Sequence, residues 1–230
     1  MTSEVVPAEE VASVKRKSGR LRKIITTGER TFLLLDKTPA ARFLEEGLAL
    51  SPDDIEELEG TAAMEAGLVF ACGFLARRER SEKQVRKALR DEGLENPEVI
   101  DYIVDTLRQK GYLDDRRFAS ELSGYLTGFR GAGPGLVRMR LAEAGISSGI
   151  IDDVVDNAFS GEEEKRVALK LAEDRVSRMR ETDLRRVASR VRGYLLRRGY
   201  SGAIVSDICC DILRGGFSGE QDEPRYTDSR

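Results

Sequence analysis

The sequence predicts a mainly α-helical protein, a tandem array of three three-helix modules preceded by a small β-hairpin or meander. Three observations carry that prediction. Charged residues make up 34% of the 230-residue chain and aromatic residues only 6%, a balance that favours helices with solvated faces over a sandwich or barrel. The string Val-Arg-x-x-Leu-x-x-x-Gly occurs three times, as Val85-Arg86…Leu89…Gly93, Val137-Arg138…Leu141…Gly145 and Val191-Arg192…Leu195…Gly199. The first 60 residues lack that string and carry short apolar runs between turn-forming triplets.

Within residues 1–60, the segments 11–15, 21–26 and 31–35 are β-branched or apolar and read as strands. Lys17-Ser18-Gly19 and Thr27-Gly28-Glu29 separate them as turns. Residues 39–46 read as a short helix with Pro39 in its first turn. Ser51-Pro52-Asp53-Asp54 supplies a cap and acidic first turn for a further helix.

The repeat then sets the modules. Its glycines lie 52 and 54 residues apart. Each Val and Leu are four apart and share one helix face, and the Gly four residues on suits a left-handed C-cap. A second amphipathic helix follows each Gly, with apolar positions Val99, Ile100, Ile103, Val104 and Leu107 in the first copy. The second copy has Ile150, Ile151, Val154, Val155 and Ala158, and the third has Ile204, Val205, Ile208, Cys209 and Ile212. Ser147 and Ser201 stand where caps are needed. Leading helices are expected over 62–78, 115–125 and 162–178. A module of roughly 50 residues buries little core alone, so neighbours must support it. The expected organisation is a β-containing extension and acidic linker (1–60), repeats over 61–111, 112–160 and 161–214, and a disordered tail (215–230).

Composition removes several chemistries. The chain has no His, which excludes imidazole catalysis and His-ligated zinc. Cys72, Cys209 and Cys210 do not make a disulfide framework or a Cys-x-x-Cys site, and Cys209 reads as a small core residue. The longest uncharged apolar stretch, 66–76, is shorter than a bilayer span, and residues 1–10 lack signal-peptide order. The expectation is a soluble cytoplasmic protein without membrane contact, monomeric, and without cofactor, metal or catalytic residues. Asp53-Asp54, Asp114-Asp115 and Asp152-Asp153 are sequential pairs pointing about 100° apart on a helix, so they do not form a two-carboxylate site. Asp114 reads as an N-cap between Leu113 and Phe118, and Asp152 and Asp153 as residues of a polar face.

Charge asymmetry is the main functional signal. The net charge is −3, yet residues 77–90 hold seven basic and two acidic residues, and residues 175–198 nine and two. Arg86, Arg138 and Arg192 recur at one module position. Around them lie Arg77, Arg78, Arg80, Lys83, Lys87 and Arg90 in the first copy and Arg140 in the second. Arg185, Arg186, Arg190, Arg197 and Arg198 take that place in the third. A repeated basic position suits a repetitive acidic partner, while the plainer alternative is repeat ancestry and a solvated face. Gly128, Gly131, Gly133 and Gly135 lack nucleotide-loop spacing, so they read as a linker and helix start whose free N–H groups could meet a phosphate. Tyr112, Tyr125, Tyr194 and Tyr200 sit near module joints, where core packing is the plainer reading and base stacking the lesser alternative.

These residues also carry a family likeness. Leu75-Ala-Arg-Arg-Glu-Arg-Ser81-Glu82-Lys83-Gln84-Val85 and Gly111-Tyr112-Leu113-Asp114-Asp115-Arg116-Arg117-Phe118-Ala119 resemble the RecX family. So do Gly133-Pro134…Leu141-Ala-Glu-Ala-Gly145-Ile146-Ser147 and Tyr194-Leu-Leu-Arg-Arg-Gly199-Tyr200-Ser201. The likeness covers residues 61–213. It implies a curved helical array that lodges in the groove of the RecA–single-stranded DNA filament. There it inhibits ATP hydrolysis, strand exchange and filament growth in homologous recombination. Residues 123–135 hold one cation, Arg130, so contact with RecA is expected to outweigh weak or indirect contact with single-stranded DNA. The rival readings are a helix-turn-helix-like DNA-binding protein acting without RecA and a helical scaffold for another protein.

Overall fold

The computed structural model describes residues 9–16, 21–35, 44–159 and 161–215. The chain divides between Asp114 and Asp115 into two compact units.

The first unit opens with a four-stranded antiparallel sheet. Its strands are β1 (Glu9–Arg16), β2 (Leu21–Thr26), β3 (Thr31–Leu35) and β4 (Ala49–Leu50), in the order β3-β2-β1-β4. The three longer strands match their expected segments. Thr26 N–H donates to the Arg30 carbonyl at 3.1 Å to close the second hairpin, where Glu29 adopts φ 62°. The two-residue β4, too short for any period to show, pairs Leu50 with Glu9 and Ala49 with Glu10. The Lys17-Ser18-Gly19 turn, the start of the helix expected over 39–46 and most of the 215–230 tail lie outside the described residues. The end of that expected helix, residues 44–46, is not helical, and Leu44 is buried in the sheet core.

One helix, α1 (Pro52–Leu75), replaces the two expected on either side of residue 61. Ser51 begins it with a capping box: its Oγ accepts from Asp54 N–H at 3.2 Å, and the Asp54 carboxylate accepts from Ser51 N–H at 2.8 Å. The Ser51 hydroxyl, which donates to that carboxylate at 2.6 Å, and the Ser51 N–H together hold the Asp54 carboxyl below its usual range. The helix is continuous because its two ends serve two cores. Ile55 and Leu58 pack on the sheet with Val11, Ile24, Phe32 and Leu34. Ala71 packs with Val85, Leu89, Ile100, Ile103 and Leu107. By length and mean hydropathy alone α1 matches a bilayer span, although its uncharged stretch is only residues 66–76. In the fold its carboxylates are engaged, Glu59 with Arg30 at 2.5 Å and Glu65 with the Leu35 N–H at 2.5 Å.

Helices α2 (Glu82–Asp91) and α3 (Pro97–Gln109) complete the first three-helix group with the end of α1. In the second unit, α4 (Asp115–Arg130), α5 (Pro134–Glu143) and α6 (Ser148–Ala158) form the second group. Helices α7 (Gly161–Ser177), α8 (Leu184–Arg197) and α9 (Gly202–Leu213) form the third. Each group has its own apolar core. Val85, Val137 and Val191 are wholly buried, as are Leu141 and Leu195, and Leu89 is almost so.

The repeat glycine performs one job three times. Gly93, Gly145 and Gly199 have φ +90°, +85° and +84°, the left-handed region that costs L-residues most. In each copy the next residue donates its N–H back to the repeat Leu carbonyl: Leu94 to Leu89 at 3.1 Å, Ile146 to Leu141 at 3.1 Å, Tyr200 to Leu195 at 3.2 Å. Ser201 caps α9 by accepting from Ile204 N–H at 3.4 Å. Ser147 has the cap backbone, but its side chain makes no cap bond.

Within the second unit, the loop after α4 packs against the α8–α9 turn backbone to backbone. Gly133 N–H donates to the Arg198 carbonyl at 2.7 Å and Gly135 N–H to the Gly199 carbonyl at 2.9 Å. The N–H groups expected to be free for a phosphate are therefore used internally. A Cβ on Gly199 would come within 2.0 Å of Leu136 N, so glycine is required here for space as well as conformation. Tyr200, 3% exposed, donates its hydroxyl to the Gly131 carbonyl at 3.3 Å.

Candidate functional site

The three copies of the basic repeat position resolve into two different environments. In the first copy Arg86 bonds Glu82 at 2.7 Å and Asp101 at 2.5 Å. Burial works against the Arg86 guanidinium, but the two carboxylates outweigh it and its pKa is raised. In the second copy Arg138 pairs with Asp152 and, at 3.0 Å, with Asp156. Both arginines tie the middle helix of their group to the last one. In the third copy the positions of Asp152 and Asp156 are taken by Ser206 and Cys210. Arg192 is exposed and, among the described residues, has no carboxylate partner.

The third copy is thus the one in which this shared charge faces outward uncompensated. Around it on α8, Arg185 and Arg197 are exposed and also lack ion pairs among the described residues. Arg186 and Arg190 reach Glu181 only at 3.9 and 3.6 Å, and Arg186 reaches Asp183 at 3.6 Å. Core residues Val187, Ala188, Val191 and Leu195 hold the opposite side of the helix. An Arg-rich face fixed by a buried apolar face can meet phosphates or carboxylates without refolding.

The first group presents a second basic face. Arg77, Arg78, Lys83, Lys87 and Arg90 are exposed around the start and outer side of α2. Arg80 lies over the Phe74 ring at 4.2 Å. Burial, with Arg78 and Arg77 nearby, lowers its pKa. In the second group Arg140 is engaged with Glu143 at 2.8 Å, which leaves little free charge on α5.

Arg130 and Arg198 are brought together with residues the sequence did not single out. They line one cleft with Phe129, Arg166, Lys170 and Leu171. They come from three separate stretches of chain, around residues 130, 170 and 198, and no periodicity links them. Tyr125, expected to pack in the core, is half-exposed and lies 5.7 Å from Phe129, centroid to centroid. Tyr112 is likewise 56% exposed. Tyr194 lies between the guanidinium groups of Arg198 at 4.6 Å and Arg175 at 5.4 Å.

Asp152 and Asp153 behave as polar-face residues. Asp152 bonds Arg138, while Asp153 bonds Arg116 at 2.8 Å. Among the described residues no cluster of His, Cys, Asp and Glu could hold a metal. Cys209 is half-buried, donates its thiol to the Ala188 carbonyl at 3.5 Å, and has its pKa pushed up by burial.

Comparison with known proteins gives this arrangement a context. The family model for the first three-helix domain of RecX matches residues 69–107, the segment holding the end of α1, α2 and α3. Regulatory protein RecX of Geobacillus kaustophilus is 29% identical over 192 residues, covering 83% of this chain and 70% of the relative. The Listeria welshimeri protein of the same name is 29% identical over 194 residues, covering 84% and 71%. A crystal structure of regulatory protein RecX superimposes with a TM-score of 0.69 at 22% identity, over 87% of this chain and 98% of that one. The structure of RecX from Lactobacillus salivarius does so at 0.59 and 20%, over 66% and 97%. The matching first module, the relatives that span most of the chain and the shared helical-repeat fold all point one way: this chain is similar to the RecX family of regulatory proteins along most of its length.

Proposed function

We propose that this chain regulates the RecA recombinase in the cytoplasm by occupying the groove of the RecA–single-stranded DNA filament, inhibiting ATP hydrolysis, strand exchange and filament growth. Similarity to relatives named regulatory protein RecX over most of the chain carries this reading. The basic face of α8 supports it, because Arg185, Arg192 and Arg197 offer charge that the fold leaves uncompensated among the described residues. The protein acts as a monomeric binding module, with no chemistry of its own and no bound cofactor. RecA is its primary partner, and the strand is a secondary one.

The test is binding at matched salt to an oligonucleotide with and without a RecA coat. A filament regulator binds the coated strand at concentrations where the bare strand is little occupied. Equal affinity for both, falling steeply with salt, would instead indicate a DNA-binding protein that acts without RecA. Charge reversal at Arg185 and Arg192 together is expected to weaken binding to the coated strand, while the same change at Arg138 chiefly loosens the second group.

A further inference from the structure

The uncompensated charge of the third group lies beside the point where the last helix gives way to residues 216–230. Helices α8 and α9 are antiparallel, joined by a turn in which Tyr200 N–H donates to the Leu195 carbonyl at 3.2 Å. The Cys209 thiol meets the Ala188 carbonyl at 3.5 Å, so the end of α9 at Leu213 lies beside the start of α8 at Leu184. Arg185 stands in that first turn. Arg192, seven residues on, shares its face about 10 Å further along the axis. Burial raises the Cys209 pKa and the Arg192 charge opposes that rise, which places the guanidinium on the side of α8 toward α9.

The chain that follows carries the opposite charge. Residues 220–223 read Glu-Gln-Asp-Glu, three carboxylates in four positions, and begin five residues after Gly215. Gly215 has φ +81° and donates its N–H to the Ile212 carbonyl at 3.0 Å, so the chain leaves the helix direction there. Five extended residues reach about 17 Å and eight about 27 Å, enough to pass both Arg185 and Arg192. In the first two groups the repeat arginine finds carboxylates on the last helix of its own group, Asp101 for Arg86 and Asp152 with Asp156 for Arg138. In the third those positions hold Ser206 and Cys210, and residues 220–223 are the acidic run that comes next.

We propose that residues 220–223 dock on the basic face of α8, with carboxylates against Arg185 and Arg192, and must leave that face before an acidic partner can occupy it. Exposed ion pairs are individually weak. The covalent tether offsets this by holding the acidic run at an effective concentration on the order of millimolar. A partner of higher charge density displaces such a contact without refolding, because the apolar side of α8 stays packed. The docking stands apart from the filament reading; only the identity of the displacing partner rests on it.

Carbodiimide coupling joins a lysine amine to a carboxylate in ion-pair contact. Arg185→Lys and Arg192→Lys, made separately in the full-length chain, place that amine on α8. The Lys165–Asp207 pair, 3.8 Å apart in the same group, is the internal control. Mass spectrometry is expected to find each new amine linked to Glu220, Asp222 or Glu223 within one chain, with the link lost at high salt. Coupling of Lys165 to Asp207 without any link from α8 to residues 220–223 would overturn the proposal. Links found only between chains of different isotope label would also overturn it, assigning the face to a second copy. Neutralising the run (Glu220→Gln, Asp222→Asn, Glu223→Gln) should tighten binding to RecA-coated DNA about threefold or more at low salt. The same loss of charge on α1 (Asp53→Asn, Glu56→Gln, Glu57→Gln) should not. No gain, or an equal gain from both sets, would overturn the masking. Failure of every form to bind the coated strand would count against the filament reading alone, with the crosslink still deciding the docking.

Discussion

Arg138 and Arg192 occupy one position of the repeat, yet one charge is satisfied inside the fold and the other is not. The difference lies on the next helix in sequence, where Asp152 and Asp156 give way to Ser206 and Cys210. Arg138→Ala is expected to lower stability by no more than about 1 kcal/mol, since its pairs are solvent-accessible. Arg192→Ala should leave the thermal midpoint unchanged and weaken binding to RecA-coated DNA. Calorimetry and filament binding on the two variants separate these outcomes, and a reversed pattern would mean the repeat alignment mislocates the free charge. Burial gives Tyr200 a different kind of signature, pushing its hydroxyl pKa up to about 12 from the usual 10.0. The unfolded chain therefore loses that proton first as pH rises. Its contribution to stability is complete below about pH 10 and is lost between there and about pH 12. Tyr200→Phe should flatten this alkaline decline in a pH series of denaturant midpoints; an unaltered decline would place the titrating group elsewhere.

At the scale of elements, the repeat was legible because one physical requirement recurs: an apolar Val/Leu face that ends in a left-handed turn. Gly93→Ala and Gly199→Ala should therefore differ. A Cβ at Gly93 meets open space, so its cost is the left-handed conformation alone, about 1–2 kcal/mol. At Gly199 the Cβ would also strike Leu136 N, and the loss should be clearly larger. Chemical denaturation compares them, and equal losses would contradict the close packing of the α8–α9 turn on the loop after α4. Leu141→Ala should cost about 2–5 kcal/mol, as for a wholly buried leucine in a tight core. What escaped the sequence had no period to reveal it. Strand β4 is two residues long, and α1 looked like two helices because its acidic start and apolar end serve different cores. The cleft at Phe129 escaped for another reason. Its cations come from α4, α7 and the end of α8, which only tertiary folding brings together.

For the molecule as a whole, the charge distribution says more than the net charge. A chain of net charge −3 presents arginines on α8 that lack carboxylate partners among the described residues, and a second basic face around α2. The sequence located both basic runs but could not tell paired from unpaired arginines, because pairing depends on residues fourteen to eighteen positions away on another helix. The family likeness supplied the partner that charge alone leaves open. The central claim is that the chain acts on RecA, and the most direct measurement is the single-stranded-DNA-dependent ATPase of the host RecA, titrated with the full-length protein. The expected result is inhibition that weakens when Arg185 and Arg192 are both reversed in charge. Unchanged ATPase at every ratio, up to saturation of the filament, would contradict it.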